Sequence, residues 1–323
     1  MNKIYVTLGV TIFIIMLIYT TAAQTNEFRV LAAKGEVLIQ KNGKGNWEKI
    51  YTGGQINAND KIKLIPGSYL GLVHAKGKTI ELKKDGTYSA TKLSKEVAGM
   101  KSTMTGQLAN LIVSEVGSTS GLLSNKDNNK SMNQSGVVER NLDSEFIKSN
   151  SLQVSGDRIL IQSPIKEHLL GNDVMFEWNK VPSENEYDFY LTDRYDRLEF
   201  SKTTSDSFLV VDTKQLNLEK GVYYFWRVIV KEKPEMKSDE ACFMILTDSE
   251  ITGINDTLKL LKEELGNEQT AISKLMYAVF FEKYNLIGEA KASYLDALKI
   301  APDVEVYNNL YHNFLRRHYQ SGY

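Results

Sequence analysis

The chain has few catalytic side-chain types at the spacings that catalysis requires. Its four histidines, His74, His168, His312 and His318, include no pair one helical turn apart, the spacing of a helical metal site. No glycine-rich phosphate loop opens a helix after a strand, and no Gly-x-Ser-x-Gly elbow occurs. We therefore predict no catalytic residue, no metal and no cofactor. A hydrolase with a site assembled from distant residues stays open as the least favoured alternative.

Two acidic residues and one thiol also have plain structural explanations. Asp193 and Asp196 flank Arg194-Tyr195 in a predicted hairpin, where paired carboxylates could bind a cation or transfer protons. A turn built from polar residues accounts for them more simply. Cys242 is the only cysteine, so no internal disulfide forms, and its apolar neighbours predict a buried structural thiol within a strand.

Charge and length bound the function further. The 323 residues are enough for two or three domains. The 39 Lys and Arg residues are balanced by 40 Asp and Glu residues, so no basic excess points to nucleic acid.

The first 23 residues predict export. Lys3 is followed by an apolar run from Ile4 to Tyr19 and then by the small residues Thr21-Ala22-Ala23, the order of a signal peptide. We favour cleavage after Ala23, with an uncleaved anchor as the alternative. Either outcome places the chain outside the cytoplasmic membrane, in the periplasm or associated with the envelope, with membrane contact only through an uncleaved segment.

Residues 28–93 predict a small all-β unit. Short apolar runs, such as Val37-Leu38-Ile39 and Thr79 to Leu82, alternate with turns such as Pro66-Gly67 and Asp85-Gly86. A unit of this size with so many turns must close on itself or pack two small sheets together.

This stretch resembles the FecR-like domain of bacterial envelope proteins. The resemblance rests on these segments: Gly35-x-Val37, Trp47, Gly53-Gly54-Gln55-Ile56, Asp60-Lys61-Ile62, Gly67-Ser68-Tyr69-Leu70-Gly71-Leu72 and Gly77-Lys78-Thr79-Ile80-Glu81-Leu82. It implies a periplasmic β-domain associated with signalling or envelope binding, and no enzyme. Full-length relatives contact a sigma factor through a cytoplasmic segment. Only Met1-Asn2-Lys3 precedes the apolar run here, so we expect no direct sigma-factor control and keep an indirect sensor role open.

Residues 94–116 predict one helix and residues 117–151 a flexible linker. The helical spacing is carried by apolar positions at intervals of three and four: Val97, Met100, Met104, Leu108 and Leu111. Ser94 is the expected cap and Gly117 the expected end. The segment after Gly117 is rich in Ser, Asn and Gly and offers little to bury.

Residues 152–247 predict a β-sandwich. Seven strands are expected, at Arg158–Gln162, Val174–Trp178, Tyr187–Asp193, Leu198–Thr203, Ser207–Asp212, Val222–Val230 and Ala241–Leu246. The segment from Leu218 to Val228, with Trp178, resembles fibronectin type III domains. That resemblance implies a structural or adhesive module with no inherent chemistry.

One face of the late strand is a candidate partner-binding surface. Val222, Tyr224, Trp226, Val228 and Val230 alternate towards the predicted core. The opposite face carries Tyr223, Phe225, Arg227 and Ile229, where a strand facing water would carry more charge. Packing of this face against a neighbouring domain or the linker is the favoured alternative.

Residues 250–320 predict four helices, at Asp256–Leu265, Thr270–Tyr284, Ile287–Ile300 and Val304–Tyr319. The positions Ala278, Phe281, Ala290, Tyr294, Ala297 and Pro302 resemble one tetratricopeptide repeat, a helical pair that commonly holds a peptide or protein. In that family the concave face includes the positions of Ile272, Leu275, Val279 and Glu282. The favoured alternative packs the three apolar residues on the Asp256–Leu265 helix.

Together these patterns predict a multidomain chain, mainly β and then α, with a FecR-like β-domain, an Ig- or fibronectin-like sandwich and tetratricopeptide-like helices. The expected function is that of a non-enzymatic, exported envelope scaffold. It would bind protein partners or a cell-wall polymer through Tyr223, Phe225 and Arg227, or through Ile272, Leu275, Val279 and Glu282. A signalling regulator or sensor related to FecR proteins is the alternative.

Overall fold

The described chain is mainly β up to Ile245 and helical from Asp248, as predicted, and its strands pair antiparallel except for Glu167–Leu169 with Ala241–Ile245. The computed structural model describes residues 26–97, 103–120, 158–182, 184, 186–266 and 269–319. The predicted leader and all but the first residues of the predicted linker lie outside this set.

The first unit packs two four-stranded sheets face to face. Its strands are β1 Asn26–Lys34, β2 Val37–Gln40, β3 Glu48–Lys49, β4 Gln55–Asn57, β5 Lys61–Leu64, β6 Tyr69–His74, β7 Thr79–Leu82 and β8 Gly86–Ser89. One sheet has the order β4-β1-β6-β7 and the other β3-β2-β5-β8. Side chains such as Val30, Ile39, Ile62 and Leu72 fill the space between them.

The carboxylate of Asp60 fixes a turn that joins the two sheets. It accepts hydrogen bonds from the backbone N–H groups of Asn42 at 2.8 Å and Asn57 at 2.9 Å. It also pairs with Lys41 Nζ at 3.2 Å. Because this carboxylate is fully buried, the three donors replace the water that it loses on folding.

The predicted start at Ser94 and end at Gly117 of the helix over 94–116 are wrong, and Met100 of its apolar stripe lies outside the described residues. The described residues contain two helices, α1 Ala90–Val97 and α2 Thr103–Ser120, and α2 continues past the expected end at Gly117. Leu111, expected on the apolar stripe, is 50% exposed, whereas Ala109 and Ile112 are buried. The buried face is rotated because other helices, and not only the β-unit, cover α2.

The second unit is a β-sandwich. Its strands are β9 Ile161–Ser163, β10 Glu167–Leu169, β11 Asp173–Trp178, β12 Tyr187–Thr192, β13 Leu198–Thr204, β14 Phe208–Asp212, β15 Tyr223–Val230, β16 Lys233–Lys237 and β17 Ala241–Ile245. Each of the seven predicted strands overlaps an observed one, and β10 and β16 are additional. The sheet β14-β11-β9 faces the larger sheet β10-β17-β15-β12-β13, with β16 paired to β15.

Aromatic rings fill the sandwich core. Phe176 lies within 5.5 Å of Phe189, Trp226 and Phe243 in edge-on contacts, measured between ring centroids. Trp178 is buried beside them. The predicted alternation along β15 is confirmed, because Tyr224 and every second residue to Val230 face this core.

The last part of the chain that the structure describes contains four helices: α3 Asp248–Leu265, α4 Ala271–Lys283, α5 Ile287–Ile300 and α6 Glu305–Tyr319. Helix α3 begins eight residues before its predicted start, at a capping box formed by Thr247 and Glu250. The small and aromatic residues Ala278, Ala290, Tyr294 and Ala297 are fully buried where α4 and α5 meet.

The helices and the first β-unit share one core. The side chains of Leu31, Ala32 and Tyr69 project from the outer face of the β4-β1-β6-β7 sheet and pack among the helical residues. The hydroxyl groups of Tyr69 and Tyr307 lie 2.7 Å apart inside this core. Helix α2 packs into the same cluster through Leu108 and Ile112. The two ends of the described chain therefore form one packed layer.

Candidate interaction surface

Four side chains on the outer face of the larger sandwich sheet form a half-exposed aromatic surface. Tyr223, Phe225 and Arg227 alternate outwards along β15, as predicted, and Tyr190 of β12 lies directly opposite Arg227. Tyr223 is 40% exposed and the other three are intermediate. We call these four residues the aromatic face. Because β15 is paired on both sides, the backbone beneath them is held in place.

Each end of the aromatic face has a polar contact. At one end, Tyr223 Oη lies 3.2 Å from His168 Nε2. At the other, Arg227 lies 3.5 Å from a carboxylate oxygen of Glu240. The neighbouring Met244, which pairs with Tyr223, packs against the helical core. The alternative of packing against a neighbouring domain therefore applies at the edge of this face beside Tyr223, and the alternative of packing against the linker falls on residues outside the described set.

The aromatic face has the chemistry of a protein-binding surface. Tyrosine and arginine are enriched where partners contact each other most strongly, because rings bury a large apolar area and a guanidinium pairs with carboxylates. The weak contact between Arg227 and Glu240 leaves the guanidinium open to a better-placed acceptor. Such a surface suits a partner with an apolar centre and a carboxylate beside it.

The second predicted surface is not open. Ile272 and Leu275 are 0% and 1% exposed, and Val279 is partly buried against the same core. The expectation that they line an open concave face is corrected by this burial. These residues are covered by the first β-unit as well as by the helices. Ile272 packs against Gly71 of β6, and the backbone N–H of Ile272 donates to Glu81 Oε1 at 2.9 Å.

Glu282, the fourth predicted residue of that surface, lies in a polar cluster between helices. Its carboxylate accepts hydrogen bonds from Tyr294 Oη at 3.0 Å and Arg317 Nε at 2.8 Å, and lies 3.0 Å from His318 Nε2. Burial opposes ionisation, but these partners hold the pKa of Glu282 below its usual value. Arg317 also pairs with Glu115 of α2. The cluster fastens α2, α4, α5 and α6 together.

Three glutamates that the sequence analysis did not single out accept hydrogen bonds from the first turns of helices distant in sequence. Glu264 accepts from Thr105 N–H of α2, Glu81 from Ile272 N–H of α4, and Glu167 from Gly288 N–H of α5. A carboxylate there satisfies orphan donors and complements the helix dipole. No local pattern could have revealed these partners, which are more than a hundred residues away.

Glu167 differs from an ordinary surface carboxyl. It is buried between the sandwich and the helices, and that desolvation raises its pKa from 4.5 to about 7. The N–H groups of Gly288 and Ile165 act in the opposite direction, and the nearby Glu289 carboxyl adds to the increase. The group therefore titrates near neutrality in the folded chain.

A Ser–His–Glu cluster lies inside the first unit. His74 Nε2 lies 3.0 Å from both Glu27 Oε2 and Ser94 Oγ, and Ser94 Oγ donates to Glu27 at 2.7 Å. Because Lys76 N–H donates to His74 Nδ1, the neutral ring carries its proton on Nε2. The serine proton therefore points to the carboxylate and not to a free ring nitrogen, so this geometry does not activate a nucleophile. It ties α1 to strands β1 and β6.

The remaining chemically notable residues occupy structural positions. Asp193 Oδ1 accepts from Tyr195 N–H at 2.8 Å and its other oxygen pairs with Arg197, as a polar turn requires. Cys242 is only half-buried, on the outward face of β17 opposite Phe225. The expectation of a buried core thiol is therefore wrong, although desolvation still raises its pKa.

One surface depression lies between α2 and the end of α4. It has a volume of about 420 Å³, and its lining includes Met104, Leu111, Phe280 and Lys283. Neither this depression nor the smaller one of about 280 Å³ beside Lys92 is lined by histidine. Within the described ranges, no group of three His, Cys, Asp or Glu side chains is arranged to hold a metal ion. None of the helices described there is long and apolar enough to cross a membrane.

Comparison with known proteins assigns no family. No family model matches the chain, and no curated protein matches it. A Fn3-like protein from Clostridium thermocellum aligns at 18% identity with a TM-score of 0.21, covering 27% of this chain and 93% of that one. A β-glucuronidase from Ruminococcus gnavus in complex with D-glucuronic acid aligns at 8% identity with a TM-score of 0.20, covering 44% and 33% respectively. At these TM-scores neither alignment carries an argument about fold or function.

Proposed function

We propose that this chain is an exported, non-enzymatic scaffold of the cell envelope that presents the aromatic face to a partner protein. The observation that carries the proposal is the half-exposed set of Tyr190, Tyr223, Phe225 and Arg227 on one sheet face. The outward face of a solvated antiparallel sheet is ordinarily polar. Aromatic rings beside an arginine are the composition of an interface centre.

The order of Lys3, the apolar run from Ile4 to Tyr19, and the small residues that end at Ala23 supports export. The FecR-like string in the first β-unit favours the same compartment. We assign the first unit to the FecR-like class, the sandwich to the fibronectin type III class, and the α4–α5 pair to the tetratricopeptide class.

Two features support the fibronectin-like part of this proposal. Three strands face a larger sheet in which β13, β12, β15 and β17 are neighbours. Tyr224 Oη accepts a hydrogen bond from Glu219 N–H at 2.7 Å, closing the corner that leads into β15. A tyrosine that bonds to the backbone a few residues upstream is typical of such sandwiches.

The packing of the units supports a scaffold role. The sandwich meets α5 through Glu167, and the helices share a core with the first β-unit. A surface fixed by a rigid body loses little conformational entropy on binding, so more of the contact energy appears as affinity.

Site-specific photo-crosslinking tests the proposal. A benzophenone side chain is placed at Phe225 and, as a control, at Tyr195, which is 65% exposed in the Asp193–Arg197 turn. We expect a discrete protein adduct in cells from position 225, none from 195, and loss of the adduct with Arg227→Glu. No adduct at 225, or the same adduct at both positions, would contradict the proposal. An adduct that runs as a smear and is sensitive to muramidase would show that the partner is a wall polymer and not a protein.

A further inference from the structure

Strand β14 forms an open edge of the smaller sandwich sheet. It pairs with β11 on one side, and no strand in the described ranges pairs with the other. Trp178 N–H donates to Ser207 C=O at 3.0 Å, and pairing alternates along an antiparallel ladder. By this alternation Leu209 and Val211 bond towards β11. Phe208 and Val210 direct their backbone groups to the open side, as Asp212 does with its N–H, while the Asp212 C=O accepts a hydrogen bond from Gln215 N–H at 3.2 Å.

This edge lacks the usual protection against further pairing. Edge strands are commonly blunted by lysine, proline or a bulge. From Ser207 to Val211 there is no charged residue and no proline, and the β11–β14 register is unbroken. The outward side chains are also apolar, since Phe208 is 48%, Val210 52% and the directly opposite Met175 50% exposed.

We propose that two copies of this chain associate by antiparallel pairing of their β14 strands about a two-fold axis at Val210. Each Val210 then exchanges both backbone hydrogen bonds with its counterpart, and Phe208 lies opposite Asp212 of the other copy. The two three-stranded sheets become one six-stranded sheet. On the outer face of this sheet each Val210 side chain packs beside its counterpart, whereas Met175 lies one strand further away and does not reach the other copy.

The charges at the ends of β14 favour a second copy in this register. Asp206 precedes the strand and Lys214 follows it, and neither forms an ion pair within the described part of the chain. The two-fold axis brings Asp206 of one copy beside Lys214 of the other, at both ends. A register centred on Leu209 would instead place Asp206 opposite Asp212, which is a repulsive pair. The aromatic face belongs to the other sheet and stays accessible.

Sedimentation of the full chain in mild detergent tests the dimer. We expect reversible dimerisation at micromolar concentration. Val210→Lys should raise the dimer Kd about tenfold or more, because it sets two lysines directly opposite each other. Met175→Lys is the matched control on the same face with similar exposure. Its two lysines lie three strand spacings apart, so we expect a change within about threefold.

A charge swap makes the register testable. Asp206→Lys and Lys214→Asp should each weaken the dimer, and the two changes together should restore it. A wild-type chain that stays monomeric, equal effects of Val210→Lys and Met175→Lys, or a double swap as weak as the single changes would overturn the proposal. A dimer that is insensitive to Val210→Lys would do the same.

Discussion

The carboxylate of Glu264 accepts a hydrogen bond from the backbone N–H of Thr105 at 2.8 Å, across 159 positions of sequence. It also accepts from the N–H of Thr103 and Met104 and from the Thr105 hydroxyl. A side chain of α3 thus caps the first turn of α2. The position of α2 in the shared core therefore depends on the C-terminal helices.

Removing this cap should loosen α2 selectively. Glu264→Ala leaves the first-turn N–H groups of α2 without a carboxylate acceptor, so we expect a loss of about 1–2 kcal/mol in the free energy of unfolding. The neighbouring Glu263→Ala, on the exposed side of α3, is the control and should change it by less than about 0.5 kcal/mol. Urea denaturation measures both. Equal losses would show that the contact with α2 contributes nothing specific.

A glycine on β6 permits the helices to approach the sheet. A Cβ atom at Gly71 would lie 2.8 Å from Ile272 Cδ1 and 3.3 Å from Tyr307 Oη. We expect Gly71→Val to cost about 1–3 kcal/mol through overpacking. At Gly171 an added Cβ atom would meet no neighbouring atom within 4 Å, so Gly171→Val should leave the free energy of unfolding nearly unchanged.

A double-mutant cycle tests that the strain is between these two residues. Ile272→Ala vacates the space that a valine at position 71 would occupy. The free energy of unfolding of the double variant should therefore exceed the value expected from adding the two single losses by about 1 kcal/mol. Strict additivity would place the strain elsewhere.

The buried carboxyl of Glu167 should make stability fall as pH rises. Desolvation raises its pKa from 4.5 to about 7, so the folded chain holds a proton that the unfolded chain releases between these values. The contribution of this group to the free energy of unfolding is therefore highest below pH 4.5. It declines between pH 4.5 and pH 7, by roughly 3 kcal/mol at most.

Glu167→Gln isolates this contribution. The amide oxygen still accepts from Gly288 N–H but cannot ionise, so the variant should be more stable than the wild type at pH 8 and should lose that part of the decline. Denaturation at several pH values measures the difference curve. The exposed Glu219→Gln serves as the control and should leave the wild-type curve unchanged. If the wild type and Glu167→Gln are equally stable at pH 8, ionisation of Glu167 does not destabilise the folded chain and this prediction is wrong.

The periodicity of the sequence predicted which residues are buried, but it did not predict which elements cover them. Alternation along β15 correctly separated Tyr224 and Trp226 from Tyr223 and Phe225, because a strand has only two faces. The spacing of Ala278 and Tyr294 likewise predicted a close helical pair. Both patterns depend on short-range geometry that a sequence displays directly.

The failures concern contacts between distant segments. The sequence predicts that Ile272 lies on one face of a helix. The residues that bury it include Gly71, which lies 201 positions upstream. The same holds for Leu111, which points to solvent because the elements that pack on α2 select a different face. No local period carries this information, since tertiary packing decides it.

The central claim is that the aromatic face is the binding surface, and its most direct test is an affinity measurement. The partner identified from the position-225 adduct is titrated by calorimetry against wild type, Phe225→Ala, Arg227→Glu and the control Tyr195→Ala. The account predicts that the first two substitutions weaken binding by at least about tenfold, a loss of roughly 1.4 kcal/mol or more, while Tyr195→Ala does not. Unchanged affinity in Phe225→Ala and Arg227→Glu, with both variants folded, would contradict it.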